Sequence, residues 1–497
     1  MAARRLIWAA VLSVGWCWAA TAAGPSKPTR VPLVRTTDMD VGQTCEVELC
    51  DGSRATVKLL DLKETRDAVR GAVRRAVVTV EVNGQRTELV AATYHLPKTI
   101  AGVRIDCAVT RGYIEDSRTG NTWGLLKDAR LRLWPAGSPL VAPDTFGFPL
   151  RMQLFSSDTQ MANEPVFVDG GEVPGRRETY YHYGLDFGGA EGLIDVLAAT
   201  HGLVVSAAGK TLPGFEDTPV APRYDVVYLL DDRGWYYRYS HMQRIDEHIV
   251  PGVRVQRGQK IGVLGKEGGS GGWAHLHFDI KSRQPSGMWG TQAAYGFVWE
   301  AYVREYRPRV IAVARPHCLL WTGQTAVLDG RKSWSATPGR LSCEWSFTDG
   351  TTARGAVVRR RYDRVGVYSE ILKVTDAAGN VDYDFQVVQV IDRDQPEPLP
   401  PSIHAAYAPT SGIRPGDEVT FKVRTFRTTG GETWYFGDGS PPVEVKSDGN
   451  ANVHAEDGYA VTTHRFRRPG DYIVRVEHTG AGGAKAIAHL HVRVEEP

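Results

Sequence analysis

His182 and Asp186 stand four residues apart, and His275 and His277, a little under a hundred residues later, stand two apart. A histidine, an aspartate and one member of a histidine pair offer two imidazole nitrogens and one carboxylate oxygen. Three such donors suit a catalytic zinc, which keeps a fourth position open to water, whereas structural zinc is closed by four protein ligands. Zinc lowers the pKa of water from about 15.7 to about 7, so a nucleophile forms near neutral pH without an activated serine or cysteine.

Residues this far apart can meet only if strands bring them together. Residues 181–189 read as a short strand or turn, 193–208 as strands around the Thr200-His-Gly202 turn, and 225–239 as an aromatic hairpin turning at Asp231-Asp-Arg-Gly234. Residues 250–265 supply another pair of short strands. In residues 273–280 the types alternate, which puts His275 and His277 on one face of a strand while Leu276 and Phe278 enter the core. An antiparallel sheet is therefore expected to present the ligands on one surface, open to solvent and to a bulky substrate.

Four ordered motifs carry a resemblance. His182-x-x-x-Asp186, Tyr239-Ser-His241-Met, Gly252-x-x-Val255-x-x-Gly258-Gln259-x-Ile261-Gly262 and His275-Leu-His277-Phe278 are similar in order and spacing to the lysostaphin-like (LytM-type) zinc endopeptidases that cut peptidoglycan cross-bridges. Over residues 149–307 the resemblance implies a compact antiparallel-sheet domain of the duplicated-hybrid-motif kind, with a groove across it. It implies one zinc held by His182, Asp186 and His277, with His241 and His275 as catalytic residues beside the attacking water and the scissile carbonyl. Two positions depart from the family pattern: Trp273-Ala274 replaces a Gly-Pro-like pair, and Asp279 stands where glutamate is common. Neither is expected to touch a ligand. His201, His248 and His317 read as surface or core-edge histidines, and Asp195 as a strand-end residue.

At 497 residues the chain exceeds one core, and its net charge of +2 gives no electrostatic case for nucleic acid. Arg4-Arg5, an apolar run and the small residues 20–23 read as a cleaved signal peptide over residues 1–23, so export to the periplasm, cell surface or medium is expected, with no membrane span after cleavage. Cys17 is lost with it. Cys45, Cys50, Cys107, Cys318 and Cys343 remain, an odd number with no zinc-ribbon spacing; Cys318 and Cys343 can bridge one small domain, and the first three can form a single pair.

Residues 24–142 read as a β-rich domain of undefined role, with strands at 44–49, 54–60, 76–82, 86–92 and 130–133, turns at Asp51-Gly52 and Asn83-Gly84, and a short helix or basic loop at 65–75. By the resemblance, residues 143–307 are expected to form the peptidase domain. Beyond it, Trp345-x-x-x-Asp349-Gly350 with Gly366-x-Tyr368, and Trp434-x-x-x-Asp438-Gly439 with Gly470-x-Tyr472, repeat one pattern across the proline-rich stretch 394–401. These units, 308–394 and 402–497, resemble immunoglobulin-like domains of the polycystic-kidney-disease type, spacers or adhesion modules that can meet a surface polysaccharide or protein. The expected fold class is mainly β throughout. The expected function is an exported zinc metalloendopeptidase acting on peptidoglycan. The alternatives are a noncatalytic wall-binding or amidase-activating protein on the same fold and, third, adhesion through the repeats. Because no ligand lies beyond Arg307, a chain ending there is expected to keep catalysis on soluble peptides.

Overall fold

The computed structural model describes residues 24–91, 93–115, 117–153, 159–167, 179–396, 399–448 and 458–497, so the signal segment at 1–23 lies outside the described residues. The mainly β expectation holds: the described elements are strands with a few short helical turns and one helix of three turns, Tyr295–Tyr306. No helix among the described residues is long and apolar enough to cross a membrane.

Alternation builds the first domain. In Arg54–Arg66 the buried residues Ala55, Val57 and Leu59 face inward while their neighbours stay wet, so the strand can cover one side of a core. It pairs with Thr44–Glu48 and Val73–Val82, and Gln85–Val90 completes a four-stranded meander. Asn83 (φ 47°) and Gly84 (φ 80°) make the tight turn that an Asn-Gly pair favours. A second four-stranded sheet, ordered Arg35–Met39, Ala129–Pro135, Val103–Thr110, Lys98–Ile100, closes the domain. The stretch 65–75 is not a helix; of the two readings the basic loop holds, as a short turn at 67–72 that carries Arg70. The strands run into it from both sides, and Asp67 closes the reversal by accepting the Val69 and Arg70 amides at 2.9 and 2.6 Å and pairing with Arg74 at 2.9 Å.

The central domain is a nine-stranded antiparallel sheet whose path runs Lys210–Thr211, Gly202–Ala207, Val227–Leu230, Tyr236–Ser240, His275–Arg283, Leu185–Gly188, Thr159–Gln160, with Arg254–Val255 also paired to Gly202–Ala207 and Trp289–Gln292 to His275–Arg283. The hairpin read at 225–239 is its middle. His275–Arg283, the longest of these strands, lies between Leu185–Gly188 and Tyr236–Ser240, so both halves of the site are carried on neighbouring strands.

In each C-terminal repeat the motif tryptophan, Trp345 or Trp434, is fully buried, and Gly350 and Gly439 take the left-handed φ of their turns. The tyrosine of each Gly-x-Tyr step donates its hydroxyl four residues back, Tyr368 to Arg364 O and Tyr472 to Arg468 O, both at 2.8 Å. That bond accounts for the repetition of tyrosine at this position. The two repeats are joined by more than a linker: Gly366 and Val367 pair in parallel with Lys485 and Ala486, making one sheet across both. Cys318 and Cys343 contribute to one core but sit on strands with different neighbours, and all five described cysteines are free rather than bridged.

Nor do the repeats stand apart from the central nine-stranded sheet. Ala406, Ala408 and Tyr459 of the second repeat belong to the same buried cluster as Leu276 and Phe278. His489 sits at the seam of the repeats, its Nδ1 3.0 Å from Ser369 Oγ, and burial, with Arg475 adding to it, holds the imidazole down to about 3. The unfolded residue titrates near 6.5. Below that pH the unfolded chain takes up a proton the folded one refuses, so stability is lost as pH falls from 6.5 towards 3. Between pH 7 and pH 5 the wild-type chain should therefore lose up to about 2 kcal/mol more than His489→Gln, as read by chemical denaturation at both pH values. Equal losses would mean that His489 does not set this pH dependence.

Candidate active site

Strand register places the donors. Asp186 lies directly opposite His277 across one strand pair, and Ser240, the residue before His241, lies opposite His277 across the other. His182 reaches the same point from the turn before Leu185–Gly188. That turn requires a glycine: a Cβ on Gly184 would lie 2.8 Å from Phe278 O and 2.9 Å from His277 Cε1. His182, Asp186 and His277 form the one metal-capable cluster of their kind among the described residues.

Acceptors lie behind two of the rings. His182 Nδ1 is 3.3 Å from Met161 O, and His277 Nε2 is 3.2 Å from Asp279 Oδ2; both partners only accept, so a metal bound by the opposite nitrogens would leave the protons on these two. The opposite nitrogens face each other. His182 Nε2, His277 Nδ1 and Asp186 Oδ1 form a near-equilateral triangle with sides of 3.0, 2.9 and 3.1 Å. Three electron-pair donors this close, all buried, repel one another unless a metal cation or a proton shared with Asp186 lies between them. A tetrahedral zinc about 2.0–2.2 Å from N and O donors spans ligand–ligand edges of about 3.4 Å, so it fits after the donors part by a few tenths of an ångström.

His241 and His275 stand beside this triangle, their ring centroids 4.7 Å apart, with His275 Nε2 3.6 Å from Asp186 Oδ2. Each commits Nδ1–H to a backbone carbonyl, His241 to Glu267 O at 2.6 Å and His275 to Trp273 O at 3.0 Å, which leaves Nε2 free to accept a proton. Burial lowers both imidazoles below the usual histidine range, His275 the further, so both rings are neutral at pH 7.

Three residues outside the motifs complete the arrangement. His241 has a left-handed backbone (φ 67°), a conformation that costs a non-glycine residue on the order of 1–3 kcal/mol. Asp225 holds it there. Its carboxylate accepts the His241 amide at 2.9 Å and is gripped by the Arg223 guanidinium at 2.6 and 2.5 Å. Nothing in the sequence marks Asp225, because its relation to His241 exists only once the hairpin closes. Asp279, by contrast, was legible: the alternation that puts His275 and His277 on one face puts Asp279 there too.

Two expectations are corrected here. Asp279 does touch a ligand, since its carboxylate orients His277, and Trp273 stacks on His275 at 3.9 Å. The site is also not on an open face: the five residues are only 3–6% exposed. Gln160 extends the sheet beside Asp186, and the second repeat packs on the loop before His275. Tyr459 OH accepts the Ala274 amide at 2.8 Å, and Arg424, fully buried and paired with Asp448, donates to Gly272 O at 2.6 Å. The idea that a chain ending at Arg307 keeps an intact site loses its basis, because these contacts hold the loop before His275. The remaining readings need no change: His201 bonds Gln256 and His248 bonds Gln259 away from the metal donors, and Asp195 opens a short strand and pairs with Lys260 at 2.7 Å.

Asp279→Asn keeps the shape but removes the charge behind His277, and should weaken zinc binding by about tenfold or more. Asp225→Ala should leave it unchanged, because Asp225 contacts no metal donor. Competition against a chelating dye measures both, and equal affinities for Asp279→Asn and the wild type would remove Asp279 from the metal centre.

Residues 180–287 match the model of peptidase family M23, and residues 309–390 and 404–494 each match a PKD domain. Among solved structures, Helicobacter pylori Csd3 is similar at 17% identity over 50% of this chain and 54% of that chain, with a TM-score of 0.20. A second crystal form of Csd3 matches at 15% identity over 50% and 82%, also at 0.20. The fibronectin(III)-like modules of Clostridium thermocellum CbhA match at 11% identity over 38% of this chain and 94% of that one, at 0.15. Scores this low place no constraint on the site. From the family matches, this chain carries a peptidase family M23 domain followed by two PKD domains.

Proposed function

We propose that this protein is an exported zinc metalloendopeptidase that hydrolyses amide bonds in peptidoglycan cross-bridges. The observation that best supports it is the convergence of His182 Nε2, His277 Nδ1 and Asp186 Oδ1 within 3.1 Å, beside two imidazoles with bare Nε2 atoms. These three donors would hold one zinc per chain, which when bound would supply Lewis acidity at the scissile amide and to water. His275 and His241 then serve as proton acceptors at Nε2, relieving the attacking water of its proton and passing it to the departing amine. The Asp225 carboxylate, 3.6 Å from His241 Nδ1, favours the protonated state of that ring and with it the electrostatic hold on the carbonyl oxygen. The substrate class comes from the family kinship and from the two extracellular-type modules that follow.

His182→Ala, Asp186→Ala and His277→Ala should each lose both the zinc and the ability to release muropeptides from purified walls. His241→Ala and His275→Ala should keep the zinc and lose about a hundredfold or more in turnover. Metal analysis with mass spectrometry of the released fragments reads both and identifies the bond cut. Full zinc in Asp186→Ala would sink the ligand assignment, and a zinc-loaded wild type that releases nothing from any wall would leave the noncatalytic wall-binding reading.

A further inference from the structure

The second PKD domain touches the catalytic loop without filling the space beside it. Between them lies a cavity of about 290 Å³, at the small end of ligand pockets, with room for one or two amino-acid residues. Gln160 and Trp273 line its inner end, and both adjoin the metal centre: Gln160 is the strand partner of Asp186, and Trp273 stacks on His275. Ser402, His404, Phe426 and Arg427, from the second repeat, line the other side, and His317 of the first PKD domain completes the wall. A larger cavity, about 370 Å³, lies where the Tyr295–Tyr306 helix meets both repeats; none of the five site residues lines either cavity, but only the smaller has lining residues, Gln160 and Trp273, that adjoin them.

Arg427 sets the chemistry of the smaller cavity. Among the described residues it is the one permanently charged side chain of the lining, and none of them contributes a carboxylate to the wall. It is exposed and makes no ion pair among the described residues, although nearby cations are paired: Arg424 with Asp448, and Lys266 with Glu191. Its backbone is left-handed (φ 62°), a conformation that a non-glycine residue keeps only where its surroundings hold it. The surroundings are themselves fixed on the peptidase domain, by Arg424 to Gly272 O and by Lys422 Nζ to Glu191 O at 2.7 Å.

We propose that this cavity is a substrate subsite built jointly by the peptidase loop and the second PKD domain, binding a peptide residue with a free carboxylate next to the scissile amide, with Arg427 as its counter-charge. The proposal rests on the peptidase reading for its substrate class. Trp273 joins the two sites, since one face of the ring packs on His275 while the side chain walls the cavity.

The test is calorimetric titration of the full-length, zinc-loaded protein with an uncross-linked stem tetrapeptide, which presents no cross-bridge to cut, as the free acid and with its carboxylates amidated. The free acid should bind, and amidation or Arg427→Gln should each weaken binding about tenfold, the scale of one charge-assisted hydrogen bond. In Arg427→Gln, amidation should have no further effect, and Arg427→Lys should recover part of the loss. No binding, or binding by Arg427→Gln that still distinguishes acid from amide, overturns the subsite. Because binding is read without turnover, the two proposals fail separately. Arg427-dependent binding by a protein that hydrolyses no wall retires the peptidase and keeps the subsite, whereas hydrolysis with Arg427-independent binding retires the subsite alone.

Discussion

The meeting of His182, Asp186 and His277 is the constraint on which the central domain depends. Their donor atoms are mutually repulsive, buried and about 3 Å apart, so no local preference holds them together. They are held by strand register, which sets Asp186 against His277, and by a glycine at 184 that lets the His182 turn lie against Phe278. A one-residue slip of the His275–Arg283 strand would send both histidines into the core and bring Leu276 and Phe278 to the metal face. The packing of Leu276 and Phe278 in the largest buried cluster therefore also aims the ligands.

A second layer orients what the register has placed. Each of the four histidines has one nitrogen tied to an acceptor: Met161 O, Asp279, Glu267 O or Trp273 O. Fixing one nitrogen decides what the other can do, so the arrangement leaves two rings able to turn a nitrogen to a metal and two able to accept a proton. The strained backbone of His241 belongs to this layer, held by a carboxylate that Arg223 keeps charged and in place.

The C-terminal repeats alter the view of the site as a self-contained groove. Arg424 is buried between domains, and taking a guanidinium out of water is compensated only by good geometry at every donor, which Asp448 and Gly272 O provide. The contact spans the glycine-rich loop that leads to His275, a segment without regular structure of its own. A module of a type associated with spacing and adhesion is thus in position to shape the catalytic face.

Much of this was legible in the sequence because it depends on local periodicity. The two-residue alternation at 273–280 announced a strand with both histidines on one face, Asn83-Gly84 announced a hairpin, and the repeated Trp-Asp-Gly and Gly-x-Tyr steps announced two similar sandwiches. The donor types at 182, 186, 275 and 277 limited the chemistry to that of an open metal site. What the sequence could not decide depends on contacts between residues far apart in the chain. Asp225 meets His241 only when a hairpin closes, Gln160 meets Asp186 only when an edge strand joins, and Tyr459 meets Ala274 only when a domain nearly two hundred residues downstream packs back on the loop. Alternation states which face a side chain takes; it does not state what will cover that face, and so the burial of the site and the cavity beside it were decided by tertiary packing alone.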